Sequence, residues 1–216
     1  MIQKPASNGP HIQRIAFLDR DGVINHDSPY YIKSWSEFQF LPGSIEAIKR
    51  LTINGFLIFI ITNQSVINRK MIPEKELEDI HSRMMREIEK EGGLIKDIFY
   101  CPHTPEDKCR CRKPEPGLIH MAQKAYNLDV STAVMIGDSS KDIECALNAG
   151  CGLNILVGTG NGRQAETDLE KKNIRPDFIA DDLLHAVNWM IPQGLRDRPQ
   201  IETELKGLPV DPLERR

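Results

Sequence analysis

The sequence predicts an α/β domain, a doubly wound parallel sheet with helices on both faces. Three observations predict it. Short runs such as "FLIFII" (56–61) are apolar at every position, as strands covered on both faces must be. Amphipathic segments of helical period alternate with those runs, the order that parallel strands joined by crossover helices require. The residues able to do chemistry (Asp19, Asp21, Thr62, Lys113 and Asp138) fall where strands end or helices begin, the edge at which open parallel sheets hold ligands.

Taken in order, residues 1–12 read as a flexible leader lacking the apolar core of a signal peptide, which points to the cytoplasm. "RIAFL" (14–18) is a first strand ending at Asp19. "SIEAIKRLTING" (44–55) is a helix, with Ser44 as expected N-cap, Ile45, Ile48 and Leu51 on one face, and Gly55 as its stop. "FLIFII" is the second strand. Residues 73–91 form the longest helix, with Leu77, Ile80, Met84 and Ile88 as a buried stripe and Gly92-Gly93 as terminator. "LIKDIFY" (94–100) is a third strand that runs into a cysteine-rich segment. "PGLIHMAQKAYN" (116–127) is a helix with Pro116 in its first turn. "AVMI" (133–136) is a fourth strand, and a helix follows through Ala149. "LNILV" (153–157) is a fifth strand; a short "DFIA" and the helical "DLLHAVNWM" (182–190) close a domain expected to span 13–191. Residues 192–216, charged and punctuated by proline, read as a mobile tail.

The chain has 216 residues, 40% hydrophobic and 27% charged, with a formal net charge of −3. That balance argues against bulk binding to nucleic acid or to a membrane, so an anionic ligand must be met by locally placed cations. No apolar run approaches the length of a membrane span. Five cysteines, three of them between positions 101 and 111, fit metal binding in a reducing compartment better than a disulfide framework. A monomer is the expected state.

"FLDRDGVIN" offers Asp19 and Asp21 as the chain leaves a strand, and alternation lets both face one ligand. Alone, the pair reads either as a solvated turn or as a nucleophile beside a proton donor. An EF-hand fits poorly, because Phe17 and Ser28 would fill its first and last ligand positions. "MIGDSSKD" places Asp138 at another strand end and Asp142 one helical turn on. Asp138 with Asp19 suits Mg2+, or Asp138 merely caps its helix with Asp142 near the positive end. "ITNQS" ends the second strand with groups able to hold phosphate oxygens. In "CPHTPEDKCRCRKP", Cys101, His103, Cys109 and Cys111 form a Cys3His set that fills a tetrahedron, so a zinc ion there is structural. Arg112 and Lys113 follow the last ligand directly, and the zinc loop (101–113) would fix both cations at the active edge.

The set "DRDGV", "TNQS", "RKP" and "GDSSKD" resembles the haloacid dehalogenase superfamily of aspartate-nucleophile phosphatases. The cysteine segment and "ILVGTGNGR" (155–163) are similar to its heptose bisphosphate branch, close to the histidinol-phosphate phosphatases. The resemblance implies a Rossmann-like core with a small zinc loop and no large cap, and a phosphorylated sugar as substrate. Asp19 would become an aspartyl-phosphate, and Asp21 would serve as acid and then base. Thr62 and Lys113 would hold phosphoryl oxygens. Mg2+ would sit on Asp19, Asp138 and the Asp21 carbonyl. Asp27, Ser28, Pro29, Tyr30, Asn63, Gln64, Ser65 and Arg112 would meet the rest of the substrate. The chain departs from the pattern at Val66, where glycine is expected after "TNQS". Within the class the alternative is histidinol phosphate; outside it, a non-catalytic interaction module stabilised by zinc.

Overall fold

The computed structural model describes residues 13–191, so the expectations for the leader and the tail lie outside the described residues. Six strands form one parallel sheet: β1 (Arg14–Leu18), β2 (Phe56–Asn63), β3 (Asp97–Cys101), β4 (Ala133–Gly137), β5 (Leu153–Val157) and β6 (Phe178–Ala180). Their spatial order is β3-β2-β1-β4-β5-β6, with Leu18 opposite Ile60 on one side and Ile136 on the other. The strand order therefore reverses at β1 and β4, which opens a crevice beyond their carboxyl ends.

Strand alternation divides the core into two faces. Ala16, Leu18, Ile58, Ile60, Val134 and Ile136 pack toward α1 (Ser44–Ile53), α2 (Glu74–Lys90) and α6 (Leu183–Met190). Ile15, Phe17, Phe59, Ile61 and Met135 pack toward α3 (Gly117–Tyr126) and α4 (Ser140–Ala149). The expected stripe of α2 is the buried one: Leu77, Ile80, Met84 and Ile88 are fully enclosed.

Two local expectations are corrected, and one element is added. Ser44 is not the N-cap of α1; Gly43 holds that position at φ +77°, and the Ser44 hydroxyl donates to Leu41 O instead. β3 starts at Asp97, because residues 94–96 only approach the sheet, with Lys96 N donating to Ile58 O. A helix absent from the sequence reading, α5 (Gly162–Lys171), follows β5; it buries little beyond Ala165 and Leu169, too weak a stripe to stand out. Among the described residues there is no large cap, and no helix is long and apolar enough to cross a membrane.

Candidate active site

Beyond β1 the chain turns out of the sheet through Asp19 to Gly22. Asp19 N donates to Ile136 O on β4 (3.0 Å), and Gly22 N donates to Asn25 O (2.8 Å). Gly22 adopts φ +82°, and a Cβ there would lie 2.2 Å from Asp138 Oδ2, so only glycine lets the two strand ends meet. Gly160, from the loop after β5, approaches the same carboxylate just as closely.

Lys113 enters from the cysteine segment. Its Nζ donates to Ile61 O (2.7 Å) and forms ion pairs with Asp19 Oδ1 (2.9 Å) and Asp142 Oδ1 (2.6 Å), and the whole side chain is buried. Asn63, at the end of β2, grips the Lys113 backbone, accepting from its N–H (3.1 Å) and donating to its carbonyl (3.3 Å). Asp142 sits in the first turn of α4, where Oδ2 accepts from Ser139 N (2.9 Å). The helix cap is Ser139 rather than Asp138. Asp138 Oδ2 accepts instead from Asn161 N (2.7 Å).

Carboxylate oxygens of Asp19, Asp138 and Asp142 all lie within 4.8 Å of one another. Burial, reinforced by Asp142 and Asp21, raises the Asp19 pKa to about 7 against the pull of Lys113. Burial and the charges of Asp142 and Asp19 raise Asp138 to about 8. Burial works to discharge Lys113, but Asp142 and Asp19 overcome it and hold the ammonium protonated. So crowded a set of buried oxygen donors fits a hard divalent cation.

Asp21 has different company. Arg20 Nη2 donates to both of its oxygens (2.8 and 2.9 Å), Asn25 donates to Oδ1 (2.9 Å) and Gln64 to Oδ2 (2.8 Å). Burial alone would raise this carboxyl, yet Arg20 and these hydrogen bonds bring it below the usual range.

These groups share a cavity of about 300 Å³, whose wall includes Asp19, Asp21, Asp27, Ser28, Pro29, Thr62, Asn63, Gln64, Arg112, Lys113 and Asp138. Tyr30 does not line it: the ring is 78% exposed, and Tyr31 takes the wall at φ +63°. Ser65 is likewise off the wall, buried beneath the loop with its carbonyl accepting from Arg69 N. Arg112 lines the cavity while its Nη1 donates to His103 O (3.0 Å), tying it to the cysteine segment. Sequence reasoning noted Asp142 but gave it no part in the site. It missed Arg20 and Asn161; "GDSSKD" held the signal for Asp142, since its last residue faces back along the first helical turn.

Cys101, at the end of β3, Cys109 and Cys111 carry free thiols, and their sulfurs converge on His103 Nδ1. Cys111 Sγ lies 3.2 Å from Cys101 Sγ, 3.4 Å from Cys109 Sγ and 3.3 Å from His103 Nδ1, close enough for the four donors to share one ion. Thr104 and Asp107 form a capping box that shapes the turn between His103 and Cys109.

Fold and site together define a phosphohydrolase of the haloacid dehalogenase type, and residues 110–186 match the HAD-hydrolase-like family model. D-glycero-beta-D-manno-heptose-1,7-bisphosphate 7-phosphatase of Pseudomonas putida is 41% identical over 178 residues, covering 82% of this chain and 99% of that protein. The D-glycero-alpha-D-manno-heptose-1,7-bisphosphate 7-phosphatase of Photorhabdus laumondii is 36% identical over 162 residues, 72% of this chain and 88% of that one. The crystal structure of D,D-heptose 1,7-bisphosphate phosphatase from B. bronchiseptica, complexed with magnesium and phosphate, matches with a TM-score of 0.78 at 37% identity, covering 84% of this chain and all of that one (100%). The chain belongs to the heptose bisphosphate phosphatase family, phosphoric monoester hydrolases of the haloacid dehalogenase type.

Proposed function

We propose that this enzyme removes the 7-phosphate of D-glycero-D-manno-heptose 1,7-bisphosphate through an aspartyl-phosphate. The observation that carries the chemistry is the bond from Lys113 Nζ to Asp19 Oδ1, with Thr62 and Asp138 on the same cavity wall. A carboxylate beside a fixed ammonium can attack phosphorus while the cation neutralises the phosphoryl oxygens. As the phosphorus–oxygen ester bond breaks, Asp21, which must enter this step protonated against the pull of Arg20, passes its proton to the departing sugar oxygen. Water then gives its proton to Asp21 and attacks the same phosphorus, releasing phosphate and restoring Asp19. Thr62 and Lys113 hold the phosphoryl oxygens, and Asn63 keeps Lys113 in place. Asp19, Asp138 and the Asp21 backbone carbonyl would hold Mg2+, which supplies charge neutralisation to phosphoryl transfer when bound. Cys101, His103, Cys109 and Cys111 would hold a structural zinc ion.

The substrate assignment has its own support. A second hollow, lined by Lys108, Arg110, Arg112 and Lys141 among others, adjoins the first and shares Arg112, Lys113 and Lys141 with it. That surplus of cations suits a second phosphate; the amine of histidinol phosphate would meet repulsion there. Arg112 lines both hollows, and Asp27, Ser28, Pro29 and Gln64 line the first, where they would meet the rest of the substrate. We take the enzyme to act as a monomer in the cytoplasm, a compartment that the free thiols suit. Phosphate release from a panel of phosphate esters, with Mg2+ present and EDTA as control, tests the reading. Highest kcat/KM on the heptose bisphosphate is expected, and a strong preference for histidinol phosphate overturns the assignment.

A further inference from the structure

Arg20 is the largest wholly buried side chain of the described residues, and it carries a charge. A guanidinium only donates, so inside a core every N–H needs an acceptor. Nε reaches Asp21 Oδ1 (3.2 Å), and Nη2 reaches Asp21 and Gln64 Oε1 (3.2 Å). The far edge, Nη1, lies 3.1 Å from Nε2 of His81, a residue on α2. Because Arg20 cannot accept, His81 must present a lone pair at Nε2, which fixes the neutral tautomer protonated at Nδ1. Burial and the Arg20 charge lower the His81 pKa to about 3, so the ring keeps that form through the working range. Tyr100 packs edge-on against it, with ring centroids 5.9 Å apart.

We infer that His81 is a positioning residue for the acid–base step, acting through Arg20 to aim the Asp21 carboxyl; this rests on the proposed role of Asp21. Asp21 follows the nucleophile by two residues on a turning chain, so its backbone alone does not set where its oxygens point. The guanidinium plane does, and that plane is pinned at its opposite edge from another element. Without the His81 acceptor, Arg20 must tilt toward whatever else can receive Nη1, and Asp21 tilts with it.

The test uses the full chain with Mg2+ and compares His81→Phe and His81→Asn with the parent on two substrates. One is a sugar phosphate, whose alkoxide needs a proton to leave; the other is p-nitrophenyl phosphate, whose leaving group does not. His81→Phe should lose about 10- to 100-fold in kcat/KM on the sugar ester and under about threefold on the aryl ester. His81→Asn, which keeps an acceptor, should recover most of that loss. Retained aryl turnover shows that a variant is folded; should His81→Phe fail to fold, Arg20→Lys carries the same expectation. An equal loss on both esters, or no loss on either, overturns the inference. Asp21→Asn separates it from the reading beneath: normal sugar-ester turnover by that variant defeats the acid–base role itself, whereas a dead Asp21→Asn beside a silent His81→Phe defeats only the part given to His81.

Discussion

Two charge clusters flank the end of β1, and they are built differently. On the β4 side, Asp19, Asp138 and Asp142 face one ammonium, that of Lys113, so negative charge is in excess. On the β2 side, the single carboxylate of Asp21 meets the guanidinium of Arg20, with neutral Gln64, Asn25 and His81 around them. The first cluster is short of positive charge, and the raised pKa values of Asp19 and Asp138 express that; in the second the Asp21 carboxylate is satisfied, although Asn25 Oδ1 beside it has no partner among the described residues, and the lowered pKa of Asp21 expresses it. An incomplete cluster recruits a cation and its anionic ligand, whereas a satisfied one holds a group in a set direction. Two residues of one short loop thus receive opposite electrostatic treatment: Asp21 is kept ionised, the form that takes a proton from water, while Asp19 needs added positive charge beside it to stay ionised as a nucleophile.

Removing the attacking group breaks the contrast most severely. Asp19→Asn should lose about 1,000-fold or more in kcat for phosphate release, since no other group can form the covalent intermediate. Circular dichroism should stay unchanged, because an amide fits the same space and can still meet Lys113. Undiminished turnover would show that the crowded carboxylates are structural only.

Metal and pH test the incomplete cluster directly. In metal-free protein the raised pKa values of Asp19 and Asp138 mean that the folded state holds protons which the unfolded chain releases at lower pH. This contribution to stability is fully present below the ordinary aspartate value of 3.8 and is lost as pH rises through about 7 and about 8. The Tm of metal-free protein should therefore fall between pH 5 and pH 8. Mg2+ should raise the Tm more at pH 8 than at pH 5, and EDTA should abolish turnover until Mg2+ is restored. A Mg2+ effect on Tm that does not change with pH would mean that the ion binds elsewhere.

How much of this was legible in sequence follows the same division. The strand ends were readable because buried parallel strands are apolar throughout, and so Asp19, Thr62 and Asp138 could be placed at one edge before any coordinates. The satisfied cluster was not readable. Arginine and histidine usually belong to the surface, and nothing local to Arg20 tells of His81, 61 positions away. Asp142 was seen only as a helix-start acid because its bond to Lys113 depends on where the cysteine segment delivers that lysine. Tyr30 was expected at the site, yet its neighbour Tyr31, at a left-handed φ of +63°, lines the cavity, and nothing in the sequence marks that backbone.

A smaller effect is expected from the cysteine segment, which contributes Lys113 to the incomplete cluster from a distance. Stripping zinc, or replacing Cys109 with Ser, should lower kcat/KM by about 10- to 100-fold rather than abolish turnover. Asn63 and Asp142 still hold Lys113 from the sheet side. Hydrogen exchange should quicken across residues 102–112 and stay unchanged in β1. Full activity in protein shown by metal analysis to be zinc-free would mean that those sheet-side contacts suffice.

The smallest functional effect belongs to Val66, which stands where the resemblance leads one to expect glycine. Glycine would be required there only by a left-handed backbone or by a close approach. Among the described residues, Val66 is not one of the non-glycine positions with positive φ; the loop makes that excursion at Lys70, φ +56°. The Val66 side chain is wholly buried, and its carbonyl accepts from Met71 N (3.0 Å), so the valine helps to close the loop. Val66→Gly should therefore cost about 2 kcal/mol in stability, from lost burial and added freedom of the unfolded chain, while KM changes less than about threefold. Urea unfolding and steady-state kinetics on the same preparation separate the two quantities. A large change in KM with unaltered stability would instead make this loop a determinant of substrate fit, and would extend the ligand's reach beyond the cavity wall formed by Asn63 and Gln64.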